Sequence, residues 1–252
     1  MIKKILNIFN YLTHILLKVI KNPKYLLEPK HYLIKLRFHL WPFLSRSKKN
    51  KISIFNTMLH IESDTFNGRG IYSYRNFKDN DERNLISSEI KSGSICIDIG
   101  SNIGFYTVFL LKSNLAKKVY SFESNPNTFE ILRQNTKNLN CIQTLGKVGD
   151  KTNQIIVDEK IDKNEKIDFI KIDLDGEDYF ALKSCKKIID KYKPKILIEI
   201  SESSERIQGV SFLDVIKYLN KLGYRIYYAN KNLKEFKKLN LNKDQVINLF
   251  CK

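Results

Sequence analysis

The chain has 252 residues, with 44 Lys and Arg against 27 Asp and Glu, for a net charge of +17. That length suits one α/β domain with an extension, or at most two small domains, and is enough to bury a proper core. Its four cysteines (Cys96, Cys141, Cys185 and Cys251) are far apart and form no Cys-x-x-Cys, which excludes a zinc ribbon or a dithiol redox motif and fits free thiols in a reducing compartment.

The charge is concentrated at the front. Residues 1–51 hold twelve Lys and Arg and one acid, Glu28, so they carry +11 of the total and leave +6 for the rest. A basic end of this kind implies an anionic partner such as a membrane surface, an acidic glycan or nucleic acid. A general lysine bias, visible also in the abundance of Asn and Ile, accounts for part of it.

Met1 to Lys21 reads as an amphipathic helix. Lys3, Asn7, Asn10, His14, Lys18 and Lys21 recur at helical steps, with Ile2, Ile5, Phe9, Leu12, Leu16 and Val19 opposite. Its longest uncharged run, Ile5 to Leu17, is 13 residues, short of the about 20 that a spanning helix needs. No small-residue cleavage site follows it. Two readings stand: an interfacial helix, or a helix packed on the catalytic domain or a partner subunit. Pro23, Pro29 and Pro42 are expected to break the next segment into short pieces. There Tyr32, Phe38, Trp41 and Phe43 alternate with Lys35, Arg37 and Arg46, a mixture that suits a bilayer interface or single-stranded nucleic acid. Ser45 to Lys51 reads as an exposed basic linker.

Ile52 to Ile61 is expected to be a strand and Asp64 to Gly70 a turn-rich stretch. Asp79 and Glu82 have capping-box spacing for a helix running to about Lys91, which Gly93 ends. Ser94 to Tyr106 then organises the chain. Ile95, Ile97 and Ile99 alternate with Cys96 and Asp98, as in a strand buried on both faces. Gly100 and Gly104 bracket a tight turn before a helix from Phe105. Such a turn lets the backbone approach a ligand, because glycine lacks Cβ, and the helix start offers unpaired N–H groups.

The spacing is Asp-x-Gly-x-Asn-x-Gly, not the Gly-x-Gly-x-x-Gly that leaves room for a pyrophosphate. It suits S-adenosylmethionine, whose ammonium a carboxylate can hold and whose carboxylate turn N–H groups can hold. A second strand, Lys118 to Phe122, closes on Glu123, 25 residues after Asp98, where an acid can accept both ribose hydroxyls. Asn125-Pro126-Asn127 starts a helix to Lys137. Further strands are expected at Ile142 to Val148 (with Gly149-Asp150 near the adenine), Gln154 to Val157, Ile167 to Asp173, Lys195 to Ser201, Tyr224 to Tyr228 and Gln245 to Phe250. Helices are expected from Gly176 to about Asp190 and from Phe212 to Leu222. Alternating strands and helices imply a mainly parallel sheet covered on both faces.

From Ile52 to Ile200 the chain resembles the FkbM-type S-adenosylmethionine-dependent methyltransferases. The resemblance rests on Ile97-Asp98-Ile99-Gly100-Ser101-Asn102-Ile103-Gly104, on Glu123 and Pro126, on Ile170-Lys171-Ile172-Asp173-Leu174-Asp175-Gly176-Glu177, and on Glu199. Three departures stand out. The final Glu of the third block falls one position early, Asp175 replaces Glu, and Ile156-Val157-Asp158 replaces Thr-Leu-Asp. The resemblance implies an α/β class I methyltransferase sheet, Rossmann-like, of seven mostly parallel strands with the last antiparallel. It also implies O-methylation of a hydroxyl, often on a sugar. Residues 1–51 lie outside it, as a basic helical extension; residues 52–92 lead into the core and 93–252 form the cofactor-binding domain.

The cofactor-binding candidates are Asp98, Gly100, Asn102, Gly104, Glu123 and Asp150. A hydroxyl attacks only if its proton is removed, and carboxylates at strand ends face the ligand crevice. Asp173 is the first candidate for that base, and Glu177 and Glu199 follow. Lys171, on the same buried strand, is placed to pair with one of them. Two acids are thin support for a metal, and none is expected. The expected partner is a small-molecule or glycan acceptor; methylation of nucleic-acid bases is disfavoured because no Asn/Asp-Pro-Pro-Tyr turn and no Pro-Cys exists, while ribose methylation of RNA stays open and a non-catalytic, membrane-associated protein that keeps the fold is a further alternative. The expected location is the cytoplasm, with contact at the inner face of the membrane.

Overall fold

A computed structural model describes residues 10, 13, 29–45, 47–75, 79–201, 209–229, 233–236 and 246–252. It divides into two compact units, Met1–Lys78 and Asp79–Lys252. The helix expected over Met1 to Lys21 lies outside the described residues, apart from Asn10 and Thr13, which are helical.

In the first unit, α1 (Pro29–Leu44) is one helix, not the short pieces that its prolines suggested. Pro29 opens it, where an N–H is not needed, and Pro42 lies in its last turn. Two strands follow, β1 (Lys49–Ile54) and β2 (Thr57–Glu62), paired antiparallel. The single strand expected over Ile52 to Ile61 is therefore a hairpin. Phe55 and Asn56 both take positive φ, 53° and 55°, as a two-residue hairpin turn requires. Its buried face carries Ile52, Ile54, Leu59 and Ile61. The basic linker is shorter than expected, since Lys49 to Lys51 belong to β1.

The stretch read as turn-rich is helical from Phe66: α2 (Phe66–Tyr74), capped by Thr65, which accepts from Gly68 N. Gly68 serves close packing, for a Cβ there would lie 1.9 Å from Glu62 O. α1 and α2 are joined by aromatic contacts. Trp41 stacks on Tyr72 at 4.2 Å, and Arg37 lies 5.0 Å over the same ring while donating to Tyr72 O at 3.0 Å.

The second unit opens with α3 (Asn80–Glu89). Asp79 precedes it in the left-handed region, φ 48°, and makes no side-chain cap, so the expected capping box does not form. Then come β3 (Ser94–Ile99), α4 (Phe105–Lys112), β4 (Ala116–Glu123), α5 (Pro126–Thr136), β5 (Cys141–Leu145), β6 (Phe169–Ile172), α6 (Asp178–Ser184), α7 (Lys186–Tyr192), β7 (Lys195–Ser201), α8 (Phe212–Lys221), β8 (Ile226–Tyr228) and β9 (Val246–Cys251). The sheet runs β5-β4-β3-β6-β7-β9-β8. Its strands are parallel except β9, which is antiparallel to both neighbours. The expected seven-stranded order is thus present.

Gln154 to Val157 forms no strand. Ile155 makes one bridge to Val148, and a short 3-10 turn covers Val157–Glu159. The helix expected up to Asp190 is two helices that meet at Cys185. Asp158 explains the restart, because its carboxylate accepts from Lys187 N at 2.7 Å and Ile188 N at 3.0 Å. These are the donors a new helix start must satisfy. The core between sheet and helices includes Ile97, Ile99, Ile170, Ile172, Ile196 and Ile198, none more than 0% exposed. At roughly 25 cal/mol per Å² of apolar surface, each contributes about 2 kcal/mol. The centre of the sheet is therefore a rigid base for the residues at its strand ends.

Candidate functional site

The turn after β3 is closed by its own hydrogen bonds. Gly100 N and Ser101 N both donate to Phe122 O at 3.0 Å, and Gly104 N donates to Ser101 O. Ser101 Oγ donates to Asp98 O and accepts from Phe122 N. Asn102, at φ 50°, donates its N–H to Glu123 Oε2 at 2.9 Å, and its side chain accepts from Ile103 N. The turn N–H groups read from sequence as a carboxylate cradle are thus engaged within the protein.

The glycines also serve packing. A Cβ on Gly100, φ +78°, would lie 1.9 Å from Asp173 O, and one on Gly104, φ +88°, would lie 2.8 Å from Leu132. Both positions need the left-handed backbone that glycine adopts without strain.

Two carboxylates flank this turn. Asp98 is fully buried, and its Oδ2 accepts from Thr107 Oγ1 at 2.6 Å. Thr107 in turn shares a hydrogen bond with Ser121. Asp98 Oδ1 has no hydrogen-bond partner. Burial raises the Asp98 pKa, against the pull of Lys171. Glu123, 8% exposed, accepts from Asn102 N through one oxygen and from Asn125 N at 2.7 Å through the other. Each carboxylate oxygen has two acceptor positions, so Glu123 keeps capacity for two hydroxyls. An orphan buried oxygen on Asp98 and spare acceptors on Glu123 fit a ligand with an ammonium and a ribose. Asp150 is exposed and pairs with Lys183 at 3.4 Å.

The acids of the third block separate into two groups. Asp173, Asp175 and Glu199 each bring an oxygen to within 4.8 Å of the others. Three such oxygens could hold a metal. Here the Lys171 ammonium already lies 2.8 Å from Asp173 Oδ2, and burial together with Asp173 and Asp178 pushes the Glu199 pKa up to about 8. A cation and a retained proton already balance much of that charge. Lys171 is 6% exposed and stands 4.6 Å over the Tyr106 ring. Burial works against its charge, but Asp173 and Asp98 outweigh this and raise its pKa.

Glu177 does not join the cluster; it pairs with Lys147 at 2.6 Å. The acid that shapes the turn is Asp178, which sequence reading passed over. It is 2% exposed and accepts from Leu174 N at 2.8 Å and Gly176 N at 3.1 Å. Burial pushes its pKa up to about 6. Its position one step after Glu177 was the available signal, since the third block seemed to end early. Tyr106, also missed, is half-buried, lies under Lys171 and hydrogen-bonds with Asp79.

This sheet order, with an acid-flanked glycine turn after its first central strand, defines a class I methyltransferase fold. Two family models agree. One, the methyltransferase FkbM domain, matches residues 151–226, and another, the TRM5/TYW2 methyltransferase domain, matches residues 68–174. The chain is a methyltransferase, and the FkbM-type resemblance of its sequence is borne out. Among solved structures, M. jannaschii TYW2 in complex with AdoMet is 16% identical, with a TM-score of 0.50 over 82% of this chain and 85% of that one. Methyltransferase FkbM from Methylobacillus flagellatus KT is 18% identical, with a TM-score of 0.47 over 75% of this chain and 55% of that one. An rRNA methylase from Streptococcus thermophilus is 17% identical, with a TM-score of 0.46 over 71% and 96%. No curated protein matches the sequence. No described helix is long and apolar enough to cross a membrane.

Proposed function

We propose that this methyltransferase transfers a methyl group from S-adenosylmethionine to a hydroxyl, most often one on a sugar of a glycan or secondary metabolite. When bound, S-adenosylmethionine supplies an electrophilic methyl and departs as a neutral thioether. Asp98 and Glu123 are assigned to the ammonium and the ribose, with Asn102 holding the turn and Asp150 bordering the adenine. Asp173 accepts the acceptor's proton as the new O–C bond forms, so no charge is left on the product. The protein otherwise positions the two reactants.

The observation that carries this reading is the place of Asp173. It ends β6, its backbone touches the cofactor turn at Gly100, and its carboxylate is ion-paired to a buried lysine. A nitrogen acceptor with a free lone pair would need no base to attack. The grouping with Asp175 and Glu199 favours an acceptor that donates O–H over one that brings phosphates close to these acids.

A second reading, ribose methylation of RNA, is favoured by the TRM5/TYW2 match over 68–174 and by the net charge of +17. In either reading residues 1–51 provide an anionic contact, at the inner membrane face for a cytoplasmic glycan enzyme and along the phosphate backbone for an RNA enzyme.

Radiolabelled methyl transfer to a panel of methyl glycosides and to total RNA tests the choice. Label in a glycoside that Asp173→Asn removes supports the first reading. Label in RNA that falls steeply with salt, as phosphate contacts require, replaces it with the second.

A further inference from the structure

We propose that Lys171 is a positioning residue that holds the cofactor-side acid, Asp98, and the acceptor-side acid, Asp173, as one charge-balanced unit. The inference rests on the proposed roles of those two acids. Lys171 sits directly opposite Asp98 in the parallel β3–β6 register, so the two side chains leave the same face of the sheet. Asp173 lies two residues on, just past the end of β6, and takes the ammonium at 2.8 Å. The Tyr106 ring closes the far side at 4.6 Å, a cation–π contact worth more where water is excluded.

The surrounding charges come from four other elements. β3 gives Asp98, α4 gives Tyr106, α3 and its leading residue give Asp79, Glu82 and Arg83, and β7 gives Glu199; Asp175 follows β6. A lysine here is costly to bury, and a methionine of similar length would satisfy packing alone. Its retention is explained by the two acids it serves. With Lys171 in place, a cation opposes the effect of burial on Asp98 and favours its charged form for an ammonium ligand, and Asp173 keeps a fixed orientation at the end of β6. Without it, the fully buried Asp98 carboxylate has no counter-charge and takes up a proton, which removes the attraction for that ammonium.

S-adenosylhomocysteine, which carries the same ammonium and ribose as the methyl donor, is the probe. Calorimetry at pH 7 on the full chain compares wild type, Lys171→Met, Lys171→Arg and Asp98→Asn, with thermal melting recorded for each. The expected result is that Lys171→Met remains folded but melts lower, having lost one partner of a buried pair, and binds at least tenfold more weakly. Lys171→Arg, which keeps a cation, should stay within threefold of wild type. In the Asp98→Asn background, Lys171→Met should cost less than threefold more. Equal affinity of wild type and a folded Lys171→Met, or an Arg variant as weak as the Met one, overturns the proposal. Wild type that does not bind the probe at all sinks the cofactor assignment beneath it, which is a different outcome.

One wild-type measurement holds even if Lys171→Met fails to fold. In carbon-13 spectra the Lys171 side chain should titrate above the ordinary lysine range, held there by Asp173 and Asp98, and a midpoint at or below that range overturns the proposal.

Discussion

The two compact units of this chain use charge in opposite ways. Met1–Lys78 carries fifteen Lys and Arg against three acids, a net +12, and Asp79–Lys252 carries 29 against 24, a net +5 over more than twice the length. Among the described residues of the first unit, Arg37, Arg69 and Arg75 lie over aromatic rings. Arg69 lies 5.0 Å over Phe38, and Phe66 beside it is 72% exposed. In the second unit the functionally important charges are buried and matched: Lys171 with Asp173, Asp98 with Thr107, Glu123 with two backbone amides. Charge at a surface is screened and tolerant of change; charge in a low-dielectric interior is neither. The units should therefore respond very differently to mutation, to pH and to salt.

The sharpest contrast is between two glycines. Gly100→Ala in the second unit puts a Cβ 1.9 Å from Asp173 O at a positive φ. It should cost about 4 kcal/mol or more, read as a fall in the urea midpoint and loss of S-adenosylhomocysteine binding. Gly70→Ala in the first unit meets nothing within 4 Å inside α2, and should stabilise by roughly 0.5–1 kcal/mol, by helix propensity alone. A harmless Gly100→Ala would mean that the turn is not held as described.

Next in size is Glu123→Ala, which strips the acceptor of two turn amides. Calorimetry should find cofactor affinity reduced by a factor of about 100, the cost of roughly 3 kcal/mol for groups left unpaired. Arg37→Ala, which loses one hydrogen bond and one ring contact within the first unit, should leave that affinity unchanged. Asp173→Asn should lower turnover more than it lowers cofactor affinity.

A smaller effect comes from pH. The Glu199 pKa is raised to about 8 and that of Asp178 to about 6, both above their unfolded values. Between the unfolded and folded values the native state holds more protons than the unfolded one. Stability from these groups is therefore present in acid and lost as pH rises through those values. Melting temperature should fall from pH 5 to 8 on their account, and Glu199→Gln should flatten the upper half of that slope. A slope unchanged in Glu199→Gln would place its proton elsewhere. Least of all, exchanging a single exposed lysine of the first unit, such as Lys48 beside its exposed Asp64 partner, should leave the melting temperature unchanged.

The strands of the sheet were legible because burial on both faces leaves a run such as Ile95 to Ile99 with almost no alternative. β7 has the bounds that its sequence suggested. The first unit was harder to read. A hairpin whose turn uses Phe55 and Asn56 carries no Gly or Pro signal, and a proline in the last turn of α1 looks the same in sequence as one that breaks a helix. At the site, the sequence pointed to most of the acids but not to Asp178, nor to all of their tasks. Asp178 and Asp158 hold backbone N–H groups, and Glu177 meets a lysine from beyond β5. Those pairings depend on which chain segments return to the same place, and local spacing does not encode that. The same limit applies to the turn glycines, whose neighbours Asp173 and Leu132 lie far along the chain.

The contact of Gly100 with the Asp173 carbonyl carries a lesson for redesign. Because the bend proposed to lie under the donor and the acid proposed to face the recipient share one van der Waals boundary, neither can be moved without dislodging the other. New recipients are more readily accommodated by reshaping the periphery, while this central pair is inherited or lost as a block.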